Sequence, residues 1–414
     1  MDSQPDILRY QRDRSLADVP GFSVGLQLRL PDNTKVYLAL GATEFTLTFS
    51  DDVALHYDLQ GRFTKFVTLA DYHRRSLSGK ILHTTKGDGI RREIVGDDSI
   101  IERARLRVEA VAAALSRRDA GRPDGAGRLQ IEFAKPENAP VLFRPLLDSA
   151  ARFDIAASRA DAERFRALYR DVAILPPDQY NALVFQATEG CAYRGCLFCD
   201  FYRDRPFRAK TPKEFEAHVD AVVAFHGKTH RNSIFLGEAN ALTLPHETLM
   251  EMLQILRTRF DLPVSSFVDA FTKQPDFASL GLSRVYVGME TGSDELLRWL
   301  RKPATAESIA ATVNAAKAAG SAVGVIVLLG AGGERFAEAH VRETVRVLNA
   351  LPLGKGDYIY LSPLVVKPGS AYSEALLSPE QIWNQEQAIR AGLKFDAARG
   401  RPYLARYGIE SFVY

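Results

Sequence analysis

Gly190-Cys191-Ala192-Tyr193-Arg194-Gly195-Cys196-Leu197-Phe198-Cys199-Asp200 is a C-x4-C-x2-C run that holds all three cysteines of the 414-residue chain. It follows the apolar stretch Leu183-Val184-Phe185, which reads as a strand, and precedes Thr211-Pro212-Lys213-Glu214, a capping box with proline at the first helical position. The thiols are therefore expected in a strand-to-helix loop. Ordinary iron-sulfur clusters take four cysteines and structural zinc sites four ligands, so one ligand is missing here. Two readings follow. A three-cysteine cluster leaves one iron with an open position for a substrate, whereas a Cys3His zinc site would draw its fourth ligand from His218, His226 or His230.

Outward from this run, strands and helices alternate. Leu183–Phe185, Ser233–Leu236, Val264–Ala270, Arg284–Val287, Ala322–Leu329 and Tyr358–Leu361 are apolar runs with helical patterns between them. Six βα units imply a parallel sheet, which right-handed crossovers curl toward a barrel with its ligands at the strand C-termini. The expected fold class is thus α/β, a partial (β/α)6 TIM-like barrel preceded by a small antiparallel β domain and followed by a helical, aromatic tail. In that N-terminal part Val24 to Leu30, Val36 to Leu40, Phe45 to Phe49, Leu55 to Leu59 and Phe63 to Val67 alternate as five strands, with a turn at Pro31-Asp32-Asn33. Helices are expected at Ser99–Leu115, Arg159–Tyr169 and Ser378–Lys394, and a loosely ordered arm over residues 1–20. The expected division is a β-rich domain at 1–116, a linker and connecting helix at 117–179, the core at 180–375, and the tail at 376–414.

Composition sets the bounds. The chain is 46% hydrophobic and 25% charged with a net charge of +2, an ordinary globular balance that gives no support to a nucleic-acid partner. No run of about 18 apolar residues could span a membrane, and the start, Met1 to Asp6, lacks a signal pattern. A cytoplasmic location and no membrane partner are expected. With the thiols spent on one motif, structural disulfides are not expected.

The cysteine motif, with Phe198 directly before its third cysteine, resembles that of the radical S-adenosylmethionine (SAM) superfamily, although the first spacer is one residue longer than the common C-x3-C-x2-C. The resemblance implies the same partial barrel. It implies that Cys191, Cys196 and Cys199 hold a 4Fe-4S cluster, which a donor such as flavodoxin or ferredoxin reduces. It also implies cleavage of SAM to methionine and a 5'-deoxyadenosyl radical that abstracts hydrogen from a substrate.

Further elements follow the predicted strands. Leu236-Gly237-Glu238-Ala239-Asn240 is similar to the family's Gly-Gly-Glu element, which would put Gly237 and Glu238 at the methionine amino group. Gly288-Met289-Glu290-Thr291-Gly292-Ser293 is similar to a Gly-x-Glu-Ser-Gly-Ser element; Glu290 would accept from a ribose diol or the amine, Ser293 would bind cofactor or cap a helix, and Asp269 is a candidate of the same kind. Gly330-Ala331-Gly332-Gly333-Glu334 resembles the glycine-rich element beside the adenine, with Gly330 matching; a dinucleotide fingerprint fails because Arg335 stands where glycine is needed. Arg203 to Lys210 and Arg301-Lys302 are candidates for neutralising a carboxylate. The absence of further cysteines argues against relatives with a second cluster, and Asp71-Tyr72-His73-Arg74-Arg75-Ser76 lacks the glycine of a cobalamin-binding D-x-H-x-x-G. The first alternative within the enzyme class is transfer of another SAM fragment such as aminocarboxypropyl; outside it stands a non-catalytic iron-sulfur or zinc module.

Overall fold

The computed structural model describes residues 24–86, 90–119, 139–227, 231–367 and 369–414. The expected arm at 1–20 and most of the glycine-rich linker near Gly121–Gly127 lie outside them. The chain divides into two compact units, one with the residues up to Asp171 together with Ala221–Arg231 and Val413–Tyr414, the other with Val172–Asp220 and Asn232–Phe412.

The first unit is an antiparallel meander of β1 (Val24–Arg29), β2 (Lys35–Leu40), β3 (Glu44–Phe49), β4 (Val53–Asp58), β5 (Phe63–Val67), β6 (Asp71–Arg75), β7 (Ile81–Lys86) and β8 (Ile90–Val95), each paired with the next. The sequence reading stopped the sheet at five strands. Strands β6 and β8, Asp-Tyr-His-Arg-Arg and Ile-Arg-Arg-Glu-Ile-Val, have few fully buried positions and so lack the alternation that marks a half-buried strand. The turn at Pro31-Asp32-Asn33 forms as expected, with Asn33 left-handed at φ 74°. Leu26, Leu38, Leu47, Leu55 and Phe63 share one core with helices α1 (Ser99–Asp119) and α2 (Ala139–Ala151). Helix α3 is Ile155–Leu168, starting four residues before the expected Arg159 because Asp154 caps it through the Ala157 N–H at 2.7 Å.

The second unit is a parallel sheet. Strand β9 (Leu183–Gln186) is followed by a short ribbon of β10 (Thr188–Glu189) and β11 (Arg208–Ala209), then by α4 (Pro212–His226). The remaining elements are β12 (Ile234–Gly237), α5 (His246–Arg259), β13 (Val264–Val268), α6 (Phe277–Leu280), β14 (Arg284–Glu290), α7 (Asp294–Trp299), α8 (Ala306–Ala318), β15 (Ala322–Leu329), α9 (Gly333–Ala350), β16 (Tyr358–Pro363), α10 (Pro379–Gly392) and β17 (Tyr403–Arg406). The sheet order is β17-β16-β15-β14-β13-β12-β9, all parallel, so it has seven strands and not six. The extra strand is Tyr403–Arg406, pairing with Tyr358–Leu361. The aromatic tail is therefore sheet, and it occupies the edge that six strands would leave open.

At the N-terminal end of this sheet Asp178 ties distant strands together. It accepts from Arg284 Nη1 at 2.5 Å, Tyr286 Oη at 2.5 Å and Tyr360 Oη at 2.6 Å, satisfying groups that apolar strands otherwise could not. The opposite, C-terminal end carries the polar candidates.

Candidate active site

The cysteine loop is closed at its base by the β10–β11 ribbon, in which Thr188 faces Ala209 and Glu189 faces Arg208. Gly190 turns the chain into the loop at φ 73°, where a Cβ would lie 2.7 Å from the Pro206 carbonyl, so glycine is required. Inside the loop Arg203 donates to the Cys199 carbonyl at 3.1 Å and the Cys196 carbonyl at 3.2 Å, and pairs with Asp200 at 3.1 Å. The Leu197 N–H bonds the Leu300 carbonyl at 2.9 Å and Tyr193 Oη donates to the Arg301 carbonyl at 2.8 Å. The loop is thus pinned to the segment after α7.

All three half-buried thiols line one cavity of 250 Å³. Its wall takes residues from beyond or within the C-terminal part of every strand of the sheet: Cys191 beyond β9, Asn240 after β12, Asp269 after β13, Glu290 in β14, Leu328 in β15, Ser362 in β16 and Tyr407 after β17. Burial pushes the Cys196 thiol up to about 12 and Cys199 up to about 11, and raises Cys191 as well. As free thiols they stay protonated. Coordination to a cation would remove their protons outright.

Glu290 and Lys302 form the charged centre of the wall. Lys302 Nζ is 2.7 Å from Glu290 Oε1 and 6.0 Å from the Phe198 ring centroid. Burial works against the Lys302 charge, but the Glu290 carboxylate outweighs it and its pKa is raised. Gly288 makes room for the pair: a Cβ there would collide with the Glu290 carboxylate and stand 3.0 Å from Lys302 Nζ. Asn240 donates through Nδ2 to Asp269, while its Oδ1 is buried without a partner. Asp269 also accepts from the Thr272 hydroxyl at 2.6 Å and the Thr272 N–H at 2.8 Å, fixing the turn after β13. Phe198, Phe201, Phe267 and Phe271 supply apolar wall.

Not every candidate reaches the cavity. Glu238 is buried and braces the cysteine loop, accepting from the Gly190 N–H at 2.9 Å, Gln186 Nε2 at 2.8 Å and Arg205 at 3.1 Å. Burial pushes its carboxyl up to about 7 against the pull of the Gly190 N–H and Arg205. Gly237 ends β12 with its carbonyl accepting from the Ala187 N–H at 2.6 Å. Ser293 caps α7 through the Leu296 N–H at 3.3 Å, the role expected of it without a ligand. The Gly330 N–H bonds Gln385 Oε1 at 2.7 Å, tying its loop to α10. Of the basic run, Arg205 pairs with Glu238 and Arg208 with Glu189 and Glu214. Arg203 and Lys302 line the cavity. Asn240 has no role of its own in the sequence reading, whereas Tyr407 belongs to the aromatic tail expected to pack on the open side of the barrel; its ring is fully buried and its hydroxyl donates to the Leu175 carbonyl at 2.5 Å. No spacing signals either one.

The zinc alternative lacks its fourth ligand among the described residues. His218 Nε2 accepts from the Gln186 N–H at 3.1 Å and His226 packs edge-on against Phe225; His230 lies outside the described residues. No three His, Cys, Asp or Glu side chains among the described residues are gathered closely enough to hold a single metal ion. The donor set that remains, three thiols spread over one cavity wall beside a buried ammonium, fits a polynuclear cluster.

Residues 185–347 match the family described as Radical SAM superfamily, and this part of the chain is a radical SAM domain. This domain is an enzyme domain, and its family uses a 4Fe-4S cluster and SAM. No curated protein matches the chain. Among solved structures, methylornithine synthase is 14% identical, with 58% of this chain and 80% of that chain covered and a TM-score of 0.38. Coproporphyrinogen III oxidase from Escherichia coli is 16% identical, with 54% and 57% covered and a TM-score of 0.40. Spore photoproduct lyase is 13% identical, with 59% and 80% covered and a TM-score of 0.40. No helix among the described residues is long and apolar enough to cross a membrane.

Proposed function

We propose that the cavity below Cys191, Cys196 and Cys199 binds SAM against a cluster held by these three thiols, and that the chain uses its reductive cleavage to abstract hydrogen from a substrate. The observation that carries this reading is that the three thiols share one cavity with the Glu290–Lys302 pair and with Asn240 and Asp269. When bound, the cluster supplies the single electron that splits SAM into methionine and a 5'-deoxyadenosyl radical. The chain's own residues hold and shield. Lys302 offers an ammonium to the methionine carboxylate while occupying Glu290 Oε1, so the other carboxylate oxygen serves a ribose diol or the methionine amine. Asn240 lines the cavity with its Oδ1 buried and without a partner, and Asp269 holds the Asn240 amide in place. Phe267, Phe271, Ile326 and Leu328 keep water from the reacting carbon, which protects a radical from quenching.

In this reading the parallel sheet curls as a partial barrel over the core at about 180–375, and Glu238, Gly237, Ser293 and Gly330 support the site from behind its wall. The reductant is an external donor such as flavodoxin or ferredoxin, and the compartment is the cytoplasm. Anaerobic reconstitution with iron and sulfide, then addition of dithionite and SAM, tests the proposal. Formation of 5'-deoxyadenosine that requires all three cysteines supports it. Formation of 5'-methylthioadenosine instead would mean aminocarboxypropyl transfer, and a fully loaded protein that leaves SAM intact would be a non-catalytic module.

A further inference from the structure

Glu290 is held in a conformation that its own residue type resists. Its φ is +60°, and the Thr291 N–H bonds the Met289 carbonyl at 2.7 Å, so Glu290 stands at the apex of a three-residue turn of the rare, strained hand. A side-chain-bearing residue in that region is strained and persists only where its surroundings over-determine it. The surroundings that do so come from one face of α9. Thr344 Oγ1 accepts from the Gly292 N–H at 3.0 Å, and His340 Nδ1 is 2.8 Å from Thr291 Oγ1, which also accepts from the Ser293 N–H at 3.1 Å. Thr291, His340 and Thr344 are fully buried. The backbone of Gly292 lies so close to α9 that a Cβ would run into the Glu343 carbonyl and come within 2.7 Å of the Thr344 nitrogen.

His340 has a chemical preference in this arrangement. Its Nε2 is buried with no partner, so a proton on Nδ1 leaves an idle lone pair there, whereas the other tautomer would strand an N–H. Burial keeps the ring neutral, with its pKa lowered to about 4. The Nδ1–H therefore donates to Thr291 Oγ1, and both hydroxyls act as acceptors for the turn.

We propose that His340 and Thr344, one turn apart on α9, are positioning residues that aim the Glu290 carboxylate into the cavity by clamping Thr291 and Gly292. The proposal rests on the reading of Glu290 as a SAM-facing acceptor. Neither side chain touches the cavity, so each acts only through the turn.

The test uses the full chain with its cluster reconstituted anaerobically, comparing Thr344→Val, which leaves the Gly292 N–H without an acceptor, with Thr344→Ser, which keeps one. Iron per chain and melting temperature report the fold; calorimetric titration with SAM and the electron paramagnetic resonance change on adding SAM report the site. Thr344→Val is expected to retain its iron and bind SAM about tenfold more weakly, the equivalent of one hydrogen bond. Thr344→Ser is expected to return affinity to within about twofold of the native chain. In a Glu290→Gln background, Thr344→Val should add nothing, because both changes act through one carboxylate. If Thr344→Val does not fold, His340→Leu removes the Thr291 anchor alone and is read in the same way. Unchanged SAM affinity in Thr344→Val, or a loss additive with that of Glu290→Gln, overturns the positioning role and leaves the Glu290 reading standing. Unchanged affinity in Glu290→Gln itself overturns both.

Discussion

Lys302 Nζ stands 2.7 Å from Glu290 Oε1, and both side chains are about nine-tenths withdrawn from water. The pair joins β14 to the segment that follows α7, the same segment to which the cysteine loop is pinned at Leu197 and Tyr193. Charge, loop and thiols are thereby fixed in one frame.

Breaking that pair from one side strands a buried charge, which costs about 3–5 kcal/mol. Lys302→Met is expected to destabilise the chain by about that much in chemical denaturation, and the double variant Lys302→Met with Glu290→Gln to recover a large part of the loss. Additive losses would show that the two groups do not depend on each other.

Cys191→Ala, Cys196→Ala and Cys199→Ala should each abolish iron loading and 5'-deoxyadenosine formation. The far-ultraviolet circular dichroism should stay unchanged, because the strands and helices bury their own apolar faces independently of the loop. Full iron and sulfide content in any one variant would remove that cysteine from the ligand set.

Tyr407 fills the cavity wall beyond β17, and its ring is fully buried. Truncation by Tyr407→Ala should cost about 3–5 kcal/mol, as for other large buried rings, whereas Tyr407→Phe loses only the bond to the Leu175 carbonyl, about 1–3 kcal/mol. Urea denaturation separates the two. A loss below about 1 kcal/mol in Tyr407→Ala would mean that the ring does not support the sheet.

His226 packs edge-on against Tyr169 and Phe225 at centroid separations of 6.4 and 5.3 Å, with Nε2 buried and unpartnered. Burial holds its pKa well below the usual value, so the folded chain keeps it neutral. The unfolded chain binds a proton below about pH 6.5, and stability is therefore complete above that pH and lost as pH falls, by at most about 1.4 kcal/mol per pH unit from this group. Melting curves from about pH 7 to about pH 5 should fall less steeply for His226→Phe than for the native chain. Parallel slopes would show that His226 titrates alike in both states.

The sequence disclosed those parts whose cause is local. Continuous apolar runs such as Ala322–Leu329 announce buried parallel strands, and three cysteines in one short stretch announce that their thiols lie in one loop. Helix α2 gave no such signal, with Pro145 inside it interrupting the helical pattern. Tyr403–Arg406 is four residues long and only partly buried, too short for its period to show. The site itself depends on meetings that no spacing records. Glu290 and Lys302 are neighbours only because the chain after α7 returns to β14. Arg406 on β17 pairs with Glu386 on α10 at 3.7 Å, across a gap in sequence that no spacing bridges. Ser293 and Glu238 show the limit of motif reading, since a hydroxyl that caps a helix and a carboxylate that braces a loop look in sequence like ligands.

The ribbon of β10 and β11 has a consequence for how iron reaches this protein. Closing a flexible loop has an entropic cost that grows only logarithmically with its length, and here main-chain pairing between Thr188–Glu189 and Arg208–Ala209 meets that cost without any metal. The three thiols line one cavity, but the loop between the anchored ends must still draw them together around a metal. Closure around a cluster is then a rearrangement confined to the span between two anchored ends, and the rest of the sheet need not move to allow it.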